Sequence, residues 1–195
     1  MNNDDDKIMR KATGTPSNFA KQGTEHCHQV AVFAYCAVAH RRGFDFADEW
    51  DRVGSSHLIA FPDDLSAPAA VPALEWIHAI PNGGARGDEK RVQAIRGNQL
   101  KAEGVRSGIA DIFLPWPAWI YNSHGDVALE IAYCGLYIEM KKPMLRPITA
   151  KSKGGLSNDQ IAFGKYATDN NYGWITCYDW REAVNAIRSY VEYKG

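Results

Sequence analysis

Residues 104–143 set charged side chains inside apolar runs, an arrangement that few folds accommodate. The stretch opens with GVRSGIADIFLP and closes with GLYIEMKKP. Each end reads as a strand that carries one carboxylate, Asp111 in the first and Glu139 in the second. Strand side chains alternate between faces. Leu136, Ile138 and Met140 therefore point one way, and Tyr137, Glu139 and Lys141 the other. Glu139 and Lys141 are same-face neighbours about 6–7 Å apart. An acid and a base among apolar strand residues are costly to bury unless they are paired or hold a metal. If the two strands are neighbours, Asp111 and Glu139 converge on one hard cation. Two carboxylates with waters and a substrate phosphate make a typical Mg²⁺ site. Lys141 is then placed to orient a water or to offset charge developing on a phosphate. A solvated strand edge with an ion pair explains the same triplet without chemistry.

The chain has 195 residues, enough for one domain with a full core. No apolar run approaches the ~20 residues of a membrane span, and the N-terminus shows no apolar signal segment. Cys27, Cys36, Cys134 and Cys177 are widely spaced, which points to reduced thiols in the cytoplasm rather than a zinc site. Net charge is −1, yet charge is segregated. Residues 140–155 hold five Lys/Arg (Lys141, Lys142, Arg146, Lys151, Lys153) and no acid, and acids dominate 45–75. A local basic surface is all that polyanion binding requires, although solvated polar loops give the same pattern.

Residues 1–20 read as a flexible arm and 21–195 as a single domain. A helix is expected over 24–42, with Thr24 as N-cap, Gly43 as stop and Val30, Phe33, Ala34, Ala37 and Val38 as its apolar stripe. Glu25 and Gln29 share one face of that helix. Glu25 complements the helix dipole or stands as a third acidic group, and spacing alone favours the dipole. Residues 43–73 look irregular, an insertion or lid. A strand over 75–80, a Pro81-Asn82-Gly83-Gly84 turn and a helix over 88–103 follow, with Lys101 on its last turn. The segment between the carboxylate strands is long for a direct connection and reads as an extended aromatic hairpin containing Trp116, Trp119 and Tyr121. After a basic loop come a helix opened by the capping box Ser157-x-x-Gln160, a strand over 174–178, and a helix opened by a second box, Asp179-x-x-Glu182. The order predicts a mixed α/β sheet with helices on both faces.

Taken in this order, several pieces resemble one family. They are Glu25…Gln29, Ile80-Pro81-Asn82-Gly83-Gly84, Lys101-Ala102-Glu103-Gly104-Val105, Gly108-Ile109-Ala110-Asp111, Gly135 to Lys141, and Leu156-Ser157-x-x-Gln160. The chain is similar to VRR-NUC nucleases, a branch of the PD-(D/E)xK superfamily, of the stand-alone phage or bacterial type. The resemblance spans residues 24–192. It implies a restriction-endonuclease-like core and Mg²⁺- or Mn²⁺-dependent phosphodiester hydrolysis. Asp111 and Glu139 become metal ligands, the Met140 backbone carbonyl a third, and Glu25 a further acidic group near the metal. Lys141 becomes the residue beside the attacking water, and Gln160 an active-site residue as well as a cap. Asn82, Gly83, Lys101, Lys142, Lys151 and Lys153 are the expected DNA contacts. Stand-alone members resemble homodimeric junction resolvases, so a four-way junction and a homodimer in a bacterial or phage-infected cytoplasm are expected. No nucleotide cofactor or membrane is expected. One departure is Ala110, where the superfamily pattern has Pro. A non-catalytic nucleic-acid-binding protein, or a nuclease acting on flaps or linear duplex, stands as the alternative.

Overall fold

The alternation of Leu136, Ile138 and Met140 with Tyr137 and Glu139 gives a sheet two chemically different faces, and the rest of the chain is arranged on them. The computed structural model describes residues 14–61, 64, 66–81, 99–100, 102–121, 127–149 and 151–193. The Asn82-Gly83 turn, most of the helix expected over 88–103, and Lys101 lie outside these residues.

The strands are β1 (His78–Ala79), β2 (Ile112–Leu114), β3 (Ala118–Tyr121), β4 (Val127–Tyr133), β5 (Leu136–Met140) and β6 (Gly173–Cys177). Four form a mixed sheet in the order β1-β2-β5-β6, and β3 pairs with β4 as a separate two-stranded sheet. The pairs β1/β2 and β2/β5 are antiparallel, with Ile112 opposite Ile138, and β5/β6 is parallel, with Glu139 opposite Thr176. The molecule is therefore mixed α/β with two small sheets, one mixed and one antiparallel. The aromatic hairpin forms as expected, with register shifts that twist β3 against β4.

The helices are α1 (Pro16–Ala20), α2 (Glu25–Arg42), α3 (Phe44–Val53), α4 (Ser56–Ala60), α5 (Asn158–Asp169) and α6 (Trp180–Val191). One sheet face presents Ile112, Leu114, Leu136, Ile138 and Met140 to a core shared with Val32, Tyr35 and Ala39 of α2 and Ala183, Val184 and Ile187 of α6. Ile112, Leu114, Ile138 and Met140 are fully buried, each stabilising the fold by about 1.5–3 kcal/mol. The other face carries aromatic rings. Phe113 stacks on Tyr137 at 4.4 Å, Tyr137 meets Phe163 of α5 edge-on, and Phe163 meets Trp174 of β6. Helices thus lie on both faces.

Four local expectations are corrected. The buried stripe of α2 is Ala31, Val32, Tyr35, Cys36, Val38 and Ala39, with His28, and Val30 faces outward. Small alanines and a tyrosine line the true face. The Tyr35 hydroxyl donates to Asp48 Oδ1 at 2.8 Å, which makes a polar residue buriable. Residues 43–73 are not wholly irregular. They contain α3, bounded by Gly43 and Gly54, and α4 after it, and Phe44, Ala47 and Trp50 enter the core from α3, whose outer face is acidic. Residues 14–20 are not part of a loose arm. Thr15 and Pro16 are buried, and the backbone and hydroxyl of Ser17 donate to Asp51, both at 2.7 Å. Over 75–80 only His78 and Ala79 pair as a strand, preceded by a 3₁₀ turn at Pro72–Leu74.

Candidate active site

Antiparallel pairing of β2 with β5 decides the geometry. The Asp111 N–H donates to the Ile138 carbonyl at 3.1 Å, and Ile112 lies opposite Ile138, so Asp111 stands across from Glu139 at the end of the ladder. Asp111 Oδ2 accepts from the Met140 N–H at 2.8 Å. The carboxylate is thereby tied to the peptide that follows Glu139. Gly108 sets the approach of this strand: φ is +85°, and a Cβ there would lie 2.8 Å from the Asp159 backbone in the first turn of α5. Only glycine lets the lead into Asp111 pass so close to the helix that brings in Gln160.

Glu139 is completely buried and Lys141 is 8% exposed. Glu139 Oε1 accepts from Lys141 Nζ at 2.5 Å and from the Gln160 amide. Gln160 serves two ends at once. Its Oε1 accepts from the Ser157 N–H at 2.9 Å while Ser157 Oγ accepts from the Gln160 N–H at 3.1 Å, which completes the capping box of α5. Its Nε2 is then left to reach Glu139. The expected cap and the expected site residue are one conformation of one side chain. The second expected box is different: Asp179 accepts from the Glu182 N–H, but Glu182 reaches back to the Tyr178 N–H rather than to Asp179. Its other oxygen bridges to Arg146 at 2.5 Å.

The N-terminal turn of α2 closes the site. Thr24 caps that helix through the Cys27 N–H at 3.2 Å, and Glu25, which follows it, lies within electrostatic reach of Asp111. Burial, then the Asp111 charge, raise the Glu25 carboxyl above the usual range, while Lys141 and Lys142 oppose the rise. One turn on, Gln29 Nε2 donates to the Asp111 carbonyl oxygen at 3.4 Å. The i, i+4 pairing of Glu25 with Gln29 foreshadows this contact, though nothing in the pattern names its acceptor. Beside them, buried His28 accepts from the Trp180 N–H at 3.3 Å and so caps α6. That role has no local sequence signal, because its partner lies 152 positions away.

Burial, with the neighbouring Asp111 charge second, pushes the Glu139 carboxyl up to about 7 against the pull of Lys141. Among the described residues, nothing hydrogen-bonds the buried Glu139 Oε2. An orphan carboxylate oxygen opposite a second carboxylate fits a hard divalent cation, which takes oxygen ligands and keeps several waters. Among the described residues, no three His, Cys, Asp or Glu side chains form a group able to hold a metal. Asp111 and Glu139 thus face each other as a pair of carboxylates, with the Met140 peptide against Asp111 and Glu25 within electrostatic reach of both.

Of the expected DNA contacts, Lys142, Lys151 and Lys153 are exposed on the loop that leaves Lys141, and Lys153 Nζ donates to Asn158 Oδ1 at 2.7 Å. Arg146 lies in the same loop but is engaged by Glu182 and stacks over the Tyr178 ring. Trp116 and Trp119 are elsewhere. With Phe44, Tyr190 and Tyr193 they line a cavity of about 350 Å³ that no carboxylate-site residue borders.

Comparison with protein-family models, with curated proteins and with solved structures gives no match. No helix among the described residues is long and apolar enough to cross a membrane.

Proposed function

We propose that the chain is a metal-dependent nuclease that hydrolyses phosphodiester bonds in DNA, built on a restriction-endonuclease-like core. The observation that carries this reading is the opposition of Asp111 and Glu139 across β2 and β5, with Lys141 and Gln160 both on Glu139. Asp111 and Glu139 would hold Mg²⁺ or Mn²⁺, which when bound polarises the scissile phosphate and acidifies a water. Asp111 is kept in place by the Met140 N–H and, through its backbone, by Gln29. Gln160 fixes the rotamer of Glu139, as a supporting hydrogen bond does for a metal-ligating carboxylate. Lys141 offsets negative charge that develops on the phosphate and orients the attacking water. Lys142, Lys151 and Lys153 give salt-sensitive, sequence-independent affinity through phosphate contacts.

The preferred substrate in this reading is a branched duplex, with a four-way junction cut by a homodimer whose two sites serve two strands. The test is cleavage of a synthetic four-way junction and a matched linear duplex with Mg²⁺ or Mn²⁺, by wild type and Asp111→Asn. Paired symmetric nicks in the junction alone, lost in the variant, are expected. Equal cutting of both substrates discards branch selectivity and keeps the nuclease. Metal-dependent cutting that survives in Asp111→Asn overturns the site assignment.

A further inference from the structure

The loop between Lys141 and Gln160 is held open by its own anchors. Its entrance, Lys141, and the helix turn at its exit, Gln160, both donate to Glu139 Oε1, so the loop leaves and re-enters at the carboxylate site. Inside it the chain is pinned. The Leu145 N–H donates to the Lys142 carbonyl at 2.9 Å in a 3₁₀ turn, Pro143–Leu145. Arg146 bridges to Glu182, and the Tyr178 hydroxyl donates to the Gly154 carbonyl at 3.2 Å. On this anchored frame Met144 is 84% exposed and Ile148 98% exposed. They are flanked by exposed Lys142, Lys151 and Lys153, in a segment with no acidic residue between 140 and 155.

Two large apolar side chains four positions apart on a tethered loop, set among lysines, differ from singly scattered exposed residues and suit a contact surface. The charge of the loop selects the partner, because three exposed ammonium groups on a segment with no carboxylate of its own suit a polyphosphate backbone. Apolar side chains pushed between base steps, with cations on the adjacent phosphates, are a general way to unstack and bend duplex DNA. The energetic penalty is least where stacking is already interrupted.

We propose that Met144 and Ile148 form a wedge that enters DNA at a weakly stacked step, a branch, nick or flap, and so sets the scissile phosphate against Asp111 and Glu139. The wedge rests on the nuclease reading above and deepens it by naming how a distorted substrate is chosen. Lys142 and the lysines beyond it grip phosphates on either side of the step. Met144 and Ile148 supply what a phosphate contact cannot, a difference in affinity between stacked and unstacked DNA.

The test uses the full chain with Ca²⁺ in place of a catalytic metal and a four-way junction carrying 2-aminopurine beside the branch point. Wild type is expected to raise the 2-aminopurine fluorescence and to bind the junction at least tenfold more tightly than linear duplex. Met144→Ser/Ile148→Ser is expected to lose both the fluorescence rise and the tenfold preference while melting at the wild-type temperature. Ile59→Ser, an equally simple change at a residue 81% exposed on α4, is expected to lose neither. A double variant that keeps the fluorescence rise and the preference overturns the wedge, and wild-type Mn²⁺ cleavage then still supports the nuclease. Wild type that neither binds nor cuts DNA overturns both. Binding to phosphatidylserine vesicles, abolished in the double variant, with no fluorescence change on DNA, reassigns the loop to a lipid surface and also overturns the wedge.

Discussion

Replacing Glu139 by Gln tests the buried carboxyl directly. In the folded chain the proton is held to about pH 7, whereas an unfolded Glu releases it near 4.5. Below that lower value both states carry the proton and the residue imposes no penalty. Between the two values the native chain binds more protons than the unfolded one, so stability falls as pH rises, and above about 7 the loss is complete. The shift corresponds to about 3 kcal/mol in the absence of a divalent cation. Glutamine keeps an oxygen for Lys141 and an apolar-compatible neutral group, and does not titrate. Urea unfolding with chelator at about pH 5 and pH 8 reads the difference, since exposed carboxylates contribute equally to both proteins. Wild type is expected to lose about 2.5 kcal/mol relative to Glu139→Gln over that range, since part of the loss has already occurred at pH 5, near 1 M in urea midpoint for a chain of this size. Millimolar Mn²⁺ is expected to restore wild type at the higher pH and leave the variant unmoved. Parallel pH profiles for the two proteins would refute the argument that burial and Asp111 hold this proton.

Gln160→Glu separates its two roles: the cap acceptor survives, so stability at about pH 5 should stay near wild type, while a second carboxylate on Glu139 should lower the melting temperature at about pH 8. Gly164→Val should destabilise by about 1–3 kcal/mol by chemical denaturation, since a Cβ there would lie 2.7 Å from the Trp174 ring. Asp51→Ala should cost about 2 kcal/mol and speed proteolysis near residue 14, because Asp51 accepts from Ser17 and pairs with Arg181 at 3.0 Å, tying α1 to α3 and α6. Lys151→Ala should reduce the salt dependence of DNA binding by about one unit of slope, read by anisotropy across a salt series.

Alternation and caps carried most of what could be read in advance. Leu136, Ile138 and Met140 against Tyr137 and Glu139 gave the two sheet faces, and Thr24 and Ser157 fixed two helix starts, because these signals are local and each has one physical meaning. The face of α2 was misjudged by about one position. Its buried side is made of alanines, Tyr35 and His28, whose burial depends on Asp48 and Trp180 in other elements. α3 was hidden for the converse reason, with its acidic outer face outweighing three apolar anchors, Phe44, Ala47 and Trp50. At the site, Asp111, Glu139, Lys141 and Gln160 meet as their order suggested, since β2 and β5 are antiparallel neighbours. Glu25 could not be judged by spacing. Its nearness to Asp111 depends on how the first turn of α2 packs, which no local pattern encodes.

The orphan oxygen and the raised carboxyl at Glu139 have a common cause. Oε1 already accepts from two donors, so a proton or a cation is most effective at buried Oε2. A proton lowers the charge of the cluster but leaves Glu139 unable to serve as an anionic ligand. A monovalent cation offsets less of the charge of Asp111, Glu139 and Glu25 than a divalent one, with Lys141 and the exposed Lys142 already opposing them. A divalent cation would offset the charge of two facing carboxylates at once, the condition under which buried charges are best tolerated. Divalent binding should therefore release protons, with two consequences. Mn²⁺ affinity should weaken by about tenfold between pH 8 and pH 6, as expected for displacement of a proton held to about 7. K⁺ at the same ionic strength should neither restore stability at high pH nor compete with Mn²⁺. Calorimetry in two buffers of different ionisation enthalpy measures the released proton. Equal heats in both would show that Glu139 is already ionised, and the charge balance argued here would then be wrong.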